Sequence, residues 1–183
     1  MNAEKVKMFM ALAGQDVADA LRDGTPEQRK LGAQLLLSET LEYIIKGLGV
    51  VPVIHGNEVI EPENISYESK NAPDKIEMID GLSDIAYTMY WNACCFGISL
   101  EEAFELVCDN NLEKFVEIES TFGKEGLLPN ELWHCGKNIS WPSEVTSVEL
   151  IKIGQRHFAV GKDDRKKVRK PSSYKAVNLE GLL

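Results

Sequence analysis

The sequence predicts an all-α fold, an antiparallel bundle of four to five helices with a small β-ribbon insertion. Three observations predict it. Four stretches place apolar residues at three- and four-residue steps between clear stop signals. One late stretch, 145–160, departs from that period and reads as two short strands about Gly154-Gln155. The composition of the 183 residues, 44% hydrophobic and 27% charged, is that of an ordinary globular chain, enough for a single domain over 1–183 with a real core.

The first helix is expected over 3–22, with Val6, Phe9, Met10, Leu12 and Ala13 on its apolar side and Gly24-Thr25-Pro26 ending it. Thr25 is a good N-cap for a second helix, from Pro26 to about Lys46, because Pro26 and Glu27 suit the first turn. Leu31, Leu35, Leu36 or Leu37, Leu41, Ile44 and Ile45 form its stripe, and Gly47 and Gly49 stop it. Residues 50–73 break the period: Val50–Ile54 and His55–Ile60 suit a short hairpin, and Pro62 and Pro73 mark loop. A third helix runs from Pro73-Asp74 to Phe96, closed by Gly97, and a fourth from Ser99 to about Phe115. Stretches 50–73 and 116–160 are read as insertions, and 162–183 as a basic tail.

Charge narrows the function. Lys plus Arg is 20 and Asp plus Glu is 29, a net −9. Residues 162–183 carry seven basic and three acidic side chains, so residues 1–161 carry −13. An acidic body is a poor partner for nucleic acid, which binds through lysines and arginines over phosphates. No apolar run reaches the roughly 18 residues that span a bilayer, and Met1–Lys5 lacks the pattern of a secretory leader. The expectation is a cytoplasmic protein with no membrane and no nucleic-acid partner. Cys94, Cys95, Cys108 and Cys135 show no CxxC spacing and read as buried, reduced thiols. His55, His134 and His157 have no triad context, which leaves nucleophilic catalysis unsupported.

The chemistry-bearing residues are acids on helices. Glu39 and Glu42 lie three apart on the second helix. On the third, Glu77, Asp80 and Asp84 follow at steps of three and four, on one side. A solvated acidic face is the ordinary fate of such a run. Against it, Asp84 sits between Leu82 and Ile85-Ala86-Tyr87, in the most apolar helix of the chain. Carboxylates packed into a bundle interior require a counter-ion. Mg²⁺, with Mn²⁺ as a substitute, suits several carboxylate oxygens plus water. Asn111 and Lys114 lie near the end of the fourth helix. Lys167-Val168-Arg169-Lys170-Pro171 is a basic run suited to phosphate.

These residues resemble a known family. Ser38-Glu39-Thr40-Leu41-Glu42 and Asp80-Gly81-Leu82-Ser83-Asp84-Ile85-Ala86-Tyr87 resemble the paired acidic helices of the all-α nucleoside triphosphate pyrophosphohydrolases. That superfamily includes MazG, phosphoribosyl-ATP pyrophosphohydrolase and the dimeric dUTPases. Val6-Lys7-Met8-Phe9 with Gly14-Gln15, Arg29, Asn110-Asn111-Leu112-Glu113-Lys114 and Lys167–Tyr174 with the leucines that end the chain resemble further blocks of its phosphoribosyl-ATP pyrophosphohydrolase-like branch. Ser38 stands where the signature has its first Glu, and Gly81 where the second motif has a Glu, with Asp80 as substitute.

The resemblance implies hydrolysis between the α- and β-phosphates of a nucleoside triphosphate, giving a nucleoside monophosphate and pyrophosphate. It implies metal ligation by Glu39, Glu42, Asp80 and Asp84, a base among the carboxylates (Glu39 or Glu77), and substrate contacts from Asn111, Lys114, Lys170 and Tyr174. It also implies a homodimer or homotetramer, because the family builds its site between subunits. The alternatives are hydrolysis of phosphoribosyl-ATP, and a non-catalytic nucleotide-binding or assembly protein on the same fold, which Ser38 favours.

Overall fold

The computed structural model describes residues 2–54, 58–59, 65–69, 71–119, 122 and 124–183. Four α-helices are formed: α1 (Asn2–Ala13), α2 (Pro26–Glu42), α3 (Lys75–Phe96) and α4 (Leu100–Leu112). The strands are β1 (Val53–Ile54), β2 (Glu58–Val59), β3 (Val116–Ile118), β4 (Gly126–Leu127), β5 (Ser147–Ile153) and β6 (Arg156–Lys162). β1 and β2 form the expected short antiparallel hairpin. The other four build an antiparallel sheet in the order β3-β6-β5-β4. The all-α expectation is therefore wrong: the fold is mixed, with a sheet that anchors much of the core. The anticipated ribbon exists as β5–β6, but α4 stops three residues early and β3 leaves it directly, so the ribbon gains a strand on each side.

The chain divides into two compact units, with the break inside α3. One is Ala20–Ile85; the other joins Met1–Asp19 to Ala86–Leu183. In the second unit the strand period of two assigns each face of the sheet to its own core. Val148 and Leu150 of β5, Ala159 of β6 and Val116 and Ile118 of β3 pack with Leu128, Cys135 and Val145, and Trp133 and Trp141 lie against them. The alternate residues Phe158 and Val160 of β6 pack with Leu12 of α1 and Phe115, joined by Ile151 and Ile153 of β5. Glu149 accepts a 2.8 Å ion pair from the buried Lys162, so a charge inside the sheet layer is matched.

α1 is shorter than expected because Gly14 ends it. Gly14 has φ +73°, its N–H reaches Ala11 and the Gln15 N–H reaches Met10, the bond pair of a Schellman cap. Gly97 ends α3 with φ +68° and an Ile98 N–H bond to Ala93. α1 is tied to α4 by Lys5, whose ammonium lies 2.6 Å from Asp109 and 3.3 Å from Glu105. The Phe9 ring meets Phe115 edge-on at 5.2 Å.

In the Ala20–Ile85 unit, α2 starts where expected. The Thr25 hydroxyl accepts from the Gln28 N–H and the Gln28 side chain accepts from the Thr25 N–H, a complete capping box. After Glu42 the helix widens into one π-helical turn, Tyr43–Gly47. Of the described side chains, α2 buries Leu41 alone and α3 buries Ala93 alone.

The basic segment at 162–183 is docked. Val168 pairs with Lys162. Asp163 organises the turn between them: its carboxylate accepts from the N–H groups of Arg165 and Lys167 and from the Arg169 guanidinium at 2.6 and 2.9 Å. Burial alone would raise the Asp163 pKa, but the Lys167 N–H and the Arg169 cation outweigh it and hold it below the ordinary value. Farther on, Ser172 and Ser140 exchange two hydrogen bonds.

Candidate functional site

Glu39 and Glu42 occupy the last turn of α2, both exposed, and no basic residue shares that turn. Beyond Glu42 the helical ladder runs on through the π-helical turn to Gly47, so the two acids lie ahead of the helical end. Glu77, Asp80 and Asp84 are exposed along the first half of α3. Asp74 starts this helix by accepting from the Ile76 and Glu77 N–H groups. Within each helix the acids are neighbours by spacing. Among the described residues no three of His, Cys, Asp and Glu gather where one metal ion could bind them together. Among the described residues the acids thus stand as pairs set by helical spacing.

Two residues of the acidic helix have local duties. The Ser38 hydroxyl donates to the Leu35 carbonyl. Arg29 donates to the Gly24 carbonyl at 2.8 Å and the Ser69 hydroxyl at 3.0 Å, holding loop to helix.

The four expected substrate contacts lie in the other unit and form two small groups. Lys114 donates to the Asn111 side-chain oxygen at 2.6 Å and lies 5.4 Å from the centre of the Phe9 ring. The Lys170 ammonium lies 4.6 Å from the centre of the Tyr174 ring, a cation–π contact. The groups are joined by a residue that the sequence reading left out of the site, Asn110. Its oxygen accepts from the Tyr174 hydroxyl at 2.5 Å and its amide nitrogen donates to the Lys175 carbonyl at 2.6 Å.

Between α1 and α4 lies a cleft of about 200 Å³, with Val6, Phe9, Phe104 and Val107 as apolar walls and Lys5 and Asn111 contributing polar groups. Cys108 also lines it, and burial pushes its thiol up, so it stays protonated. The sequence places Phe9 on the apolar side of the first helix and Phe104 and Val107 on the core side of the fourth. Their helical spacing alone does not distinguish a packed wall from an open one.

The remaining candidates are structural. All four cysteines are free, but Cys94 and Cys95 are exposed, against the expectation of burial. Cys135 is buried and its thiol is pushed up to about 11 by that burial. The His134 ring accepts from the Gly136 N–H, and His157 Nδ1 is buried with no hydrogen-bond partner among the described residues. His55 lies outside the described residues. Among the described residues no helix is long and apolar enough to cross a membrane. Comparison with family models, curated proteins and solved structures finds no match to this chain.

Proposed function

We propose that this chain is a Mg²⁺-dependent nucleoside triphosphate pyrophosphohydrolase that acts as a homo-oligomer. The observation that carries the reading is the exposed pair Glu39 and Glu42, three residues apart on α2. It is joined by Asp80 and Asp84 one turn apart on α3. The donor chemistry fits the ion: Mg²⁺ takes one or two carboxylates and completes its shell with water and substrate phosphates, so pairs suffice where a cage would be needed for other metals. The resemblance of these helices to the all-α pyrophosphohydrolases supplies the reaction.

In this reading Glu39, Glu42, Asp80 and Asp84 hold Mg²⁺, with Mn²⁺ as a substitute, and Glu39 or Glu77 accepts the proton of the attacking water. The bound ion would neutralise charge that develops on the phosphates. Asn111, Lys114, Lys170 and Tyr174 contact the substrate, and the two ammonium groups are suited to its anionic oxygens.

Assembly is supported by the surface. In the Ala20–Ile85 unit Leu31 and Leu35 on α2 are about half exposed, and Ile76 and Leu82 on α3 are 72% and 62% exposed. Apolar exposure on that scale marks an interaction surface, and a second copy is the partner the reading requires. The test is pyrophosphate release from a panel of ribo-, deoxy-, oxidised and phosphoribosylated nucleotides with and without Mg²⁺. Release that needs the metal is the expected result. Ser38, whose hydroxyl is turned to its own helix backbone, favours a non-catalytic nucleotide-binding protein instead; binding without release across the panel would select that reading.

A further inference from the structure

We propose that the turn 163–169 is a binding site for a short phosphate chain, the triphosphate of a nucleotide or an inorganic polyphosphate. Its cations come first. Arg165, Lys166 and Lys167 are exposed, and among the described residues their side chains have no ion pair, hydrogen bond or ring contact. The cations around them are engaged. Glu149 holds Lys162, Asp163 holds Arg169, and Lys170 rests on the Tyr174 ring. Three consecutive residues lie within two Cα steps of about 3.8 Å each, so their charge is concentrated. Asp164, exposed beside them, offsets one charge and leaves a surplus, on a chain whose residues 1–161 carry −13.

The backbone beneath these side chains is fixed before any ligand arrives. Asp163, 5% exposed, accepts from the Arg165 and Lys167 N–H groups at 3.0 and 2.8 Å and from the Arg169 guanidinium. Its own N–H reaches the Lys167 carbonyl at 3.1 Å. Lys166 is held at φ +61°, the left-handed region that side chains disfavour. A turn so constrained loses little freedom when an anion binds, and that distinguishes it from loose surface charge. Its Arg165 and Lys167 N–H groups already serve Asp163, so an outside anion meets side chains. Arg165 can grip two phosphate oxygens at once, and the lysines act as point charges. Charge also sets the length of the ligand. A single phosphate group carries about −2, fewer than three cations, and a chain of phosphates matches them. A long polyanion would have to run on over the acidic body. The site stands on the turn's own charge, and the nucleotide reading above supplies one of the two sources.

The test uses the full chain, amide-labelled for NMR and free of divalent metal, titrated with tripolyphosphate, ATP, AMP and an oligothymidine. Tripolyphosphate should shift the Arg165, Lys166 and Lys167 amides, and AMP should bind about tenfold more weakly or worse. ATP that matches tripolyphosphate gives the site to nucleotides, and tripolyphosphate alone gives it to inorganic polyphosphate. Lys166→Gln/Lys167→Gln should weaken tripolyphosphate about tenfold or more. Lys124→Gln/Lys152→Gln, which removes the same charge from exposed positions elsewhere, should weaken it far less. Asp163→Asn separates order from charge: it makes the turn more positive, yet binding should weaken because the turn loses its tie. Should that chain fail to fold, the two double variants decide alone. Unmoved turn amides, equal losses in the two double variants, or tighter binding by a folded Asp163→Asn chain overturn the site. So does an oligothymidine that binds more tightly than tripolyphosphate, because the turn would then serve nucleic acid. The enzyme reading is scored separately: pyrophosphate release with unmoved turn amides removes the site alone, and a turn that binds ATP without any release removes the enzyme alone.

Discussion

The Tyr174 hydroxyl donates to the side-chain oxygen of Asn110 at 2.5 Å, and through that bond the C-terminal segment is fastened to α4. Asn110 is buried, and its nitrogen completes the fastening at the Lys175 carbonyl. Removing the amide leaves buried groups unsatisfied at about 1–3 kcal/mol each. Asn110→Ala is expected to lower stability in urea unfolding by about 2–3 kcal/mol and to speed amide exchange beyond residue 170. Tyr174→Phe should cost about 1 kcal/mol. Equal stability of wild type and Asn110→Ala would contradict the fastening.

Asp163 gives the same segment a pH limit. Its folded pKa is held below the ordinary aspartate value, so its stabilising share is complete above about pH 3.9 and is lost as pH falls through the lower folded value. The stability gap between wild type and Asp163→Asn, followed from pH 7 into acid, should stay constant at first and then close. A gap independent of pH would assign the turn to Arg169 packing alone.

Gly161 lies against Trp141 so closely that an added Cβ would fall 2.6 Å from the ring's Cζ3 and 2.9 Å from Cδ2. The indole is held in place, donating to the Trp133 carbonyl at 2.9 Å. Gly161→Ala is expected to cost about 1–3 kcal/mol through overpacking and to alter tryptophan fluorescence. An unchanged melting temperature would show that the ring can move aside.

Asp84→Asn tests the metal. An amide removes the charge with little change of shape, and Asp84 is exposed on its helix. Turnover should fall by about 100-fold or more with the helical circular dichroism preserved. Near wild-type turnover would take Asp84 out of the ligand set.

Assembly has a direct measurement. Light scattering at micromolar concentration should give a particle larger than the 20.4 kDa chain, with an isologous dimer as the minimum. Leu82→Glu, which places a charge at a position 62% exposed in the single chain, should shift that particle toward monomer. A wild type that scatters as 20.4 kDa would refute the oligomer.

The helices were legible because their signals are local. Thr25 with Pro26 and Gly97 act within a few residues, and the start of α2 and the end of α3 follow from them; the Gly14 cap, equally local, shortens α1 against the expectation of a helix to residue 22. What escaped was set by distant partners. β3 exists because Val116 and Ile118 find β6, about forty residues on; nothing beside Val116 announces it. The basic run read as a tail suited to phosphate. Instead Arg169 is engaged by Asp163, and Tyr174 by Asn110, pairings that composition does not show. The acids were legible as residues, and their exposure on helices with little buried surface was not.

The packing of Leu12 against Phe158 and Val160 has a consequence for synthesis. α1 is synthesised well over a hundred residues before its sheet partner β6. While the residues between them are made, the apolar side of that helix has no native sheet to meet, and a nascent chain in that condition is a substrate for chaperones. The stretch that follows β6, from Lys162 to Lys175, supplies the bonds to Asn110 and closes the turn at Asp163. A transcript cut short by a premature stop before Tyr174 would yield a chain with an unsatisfied buried amide, marked for proteolysis by its own incomplete fold.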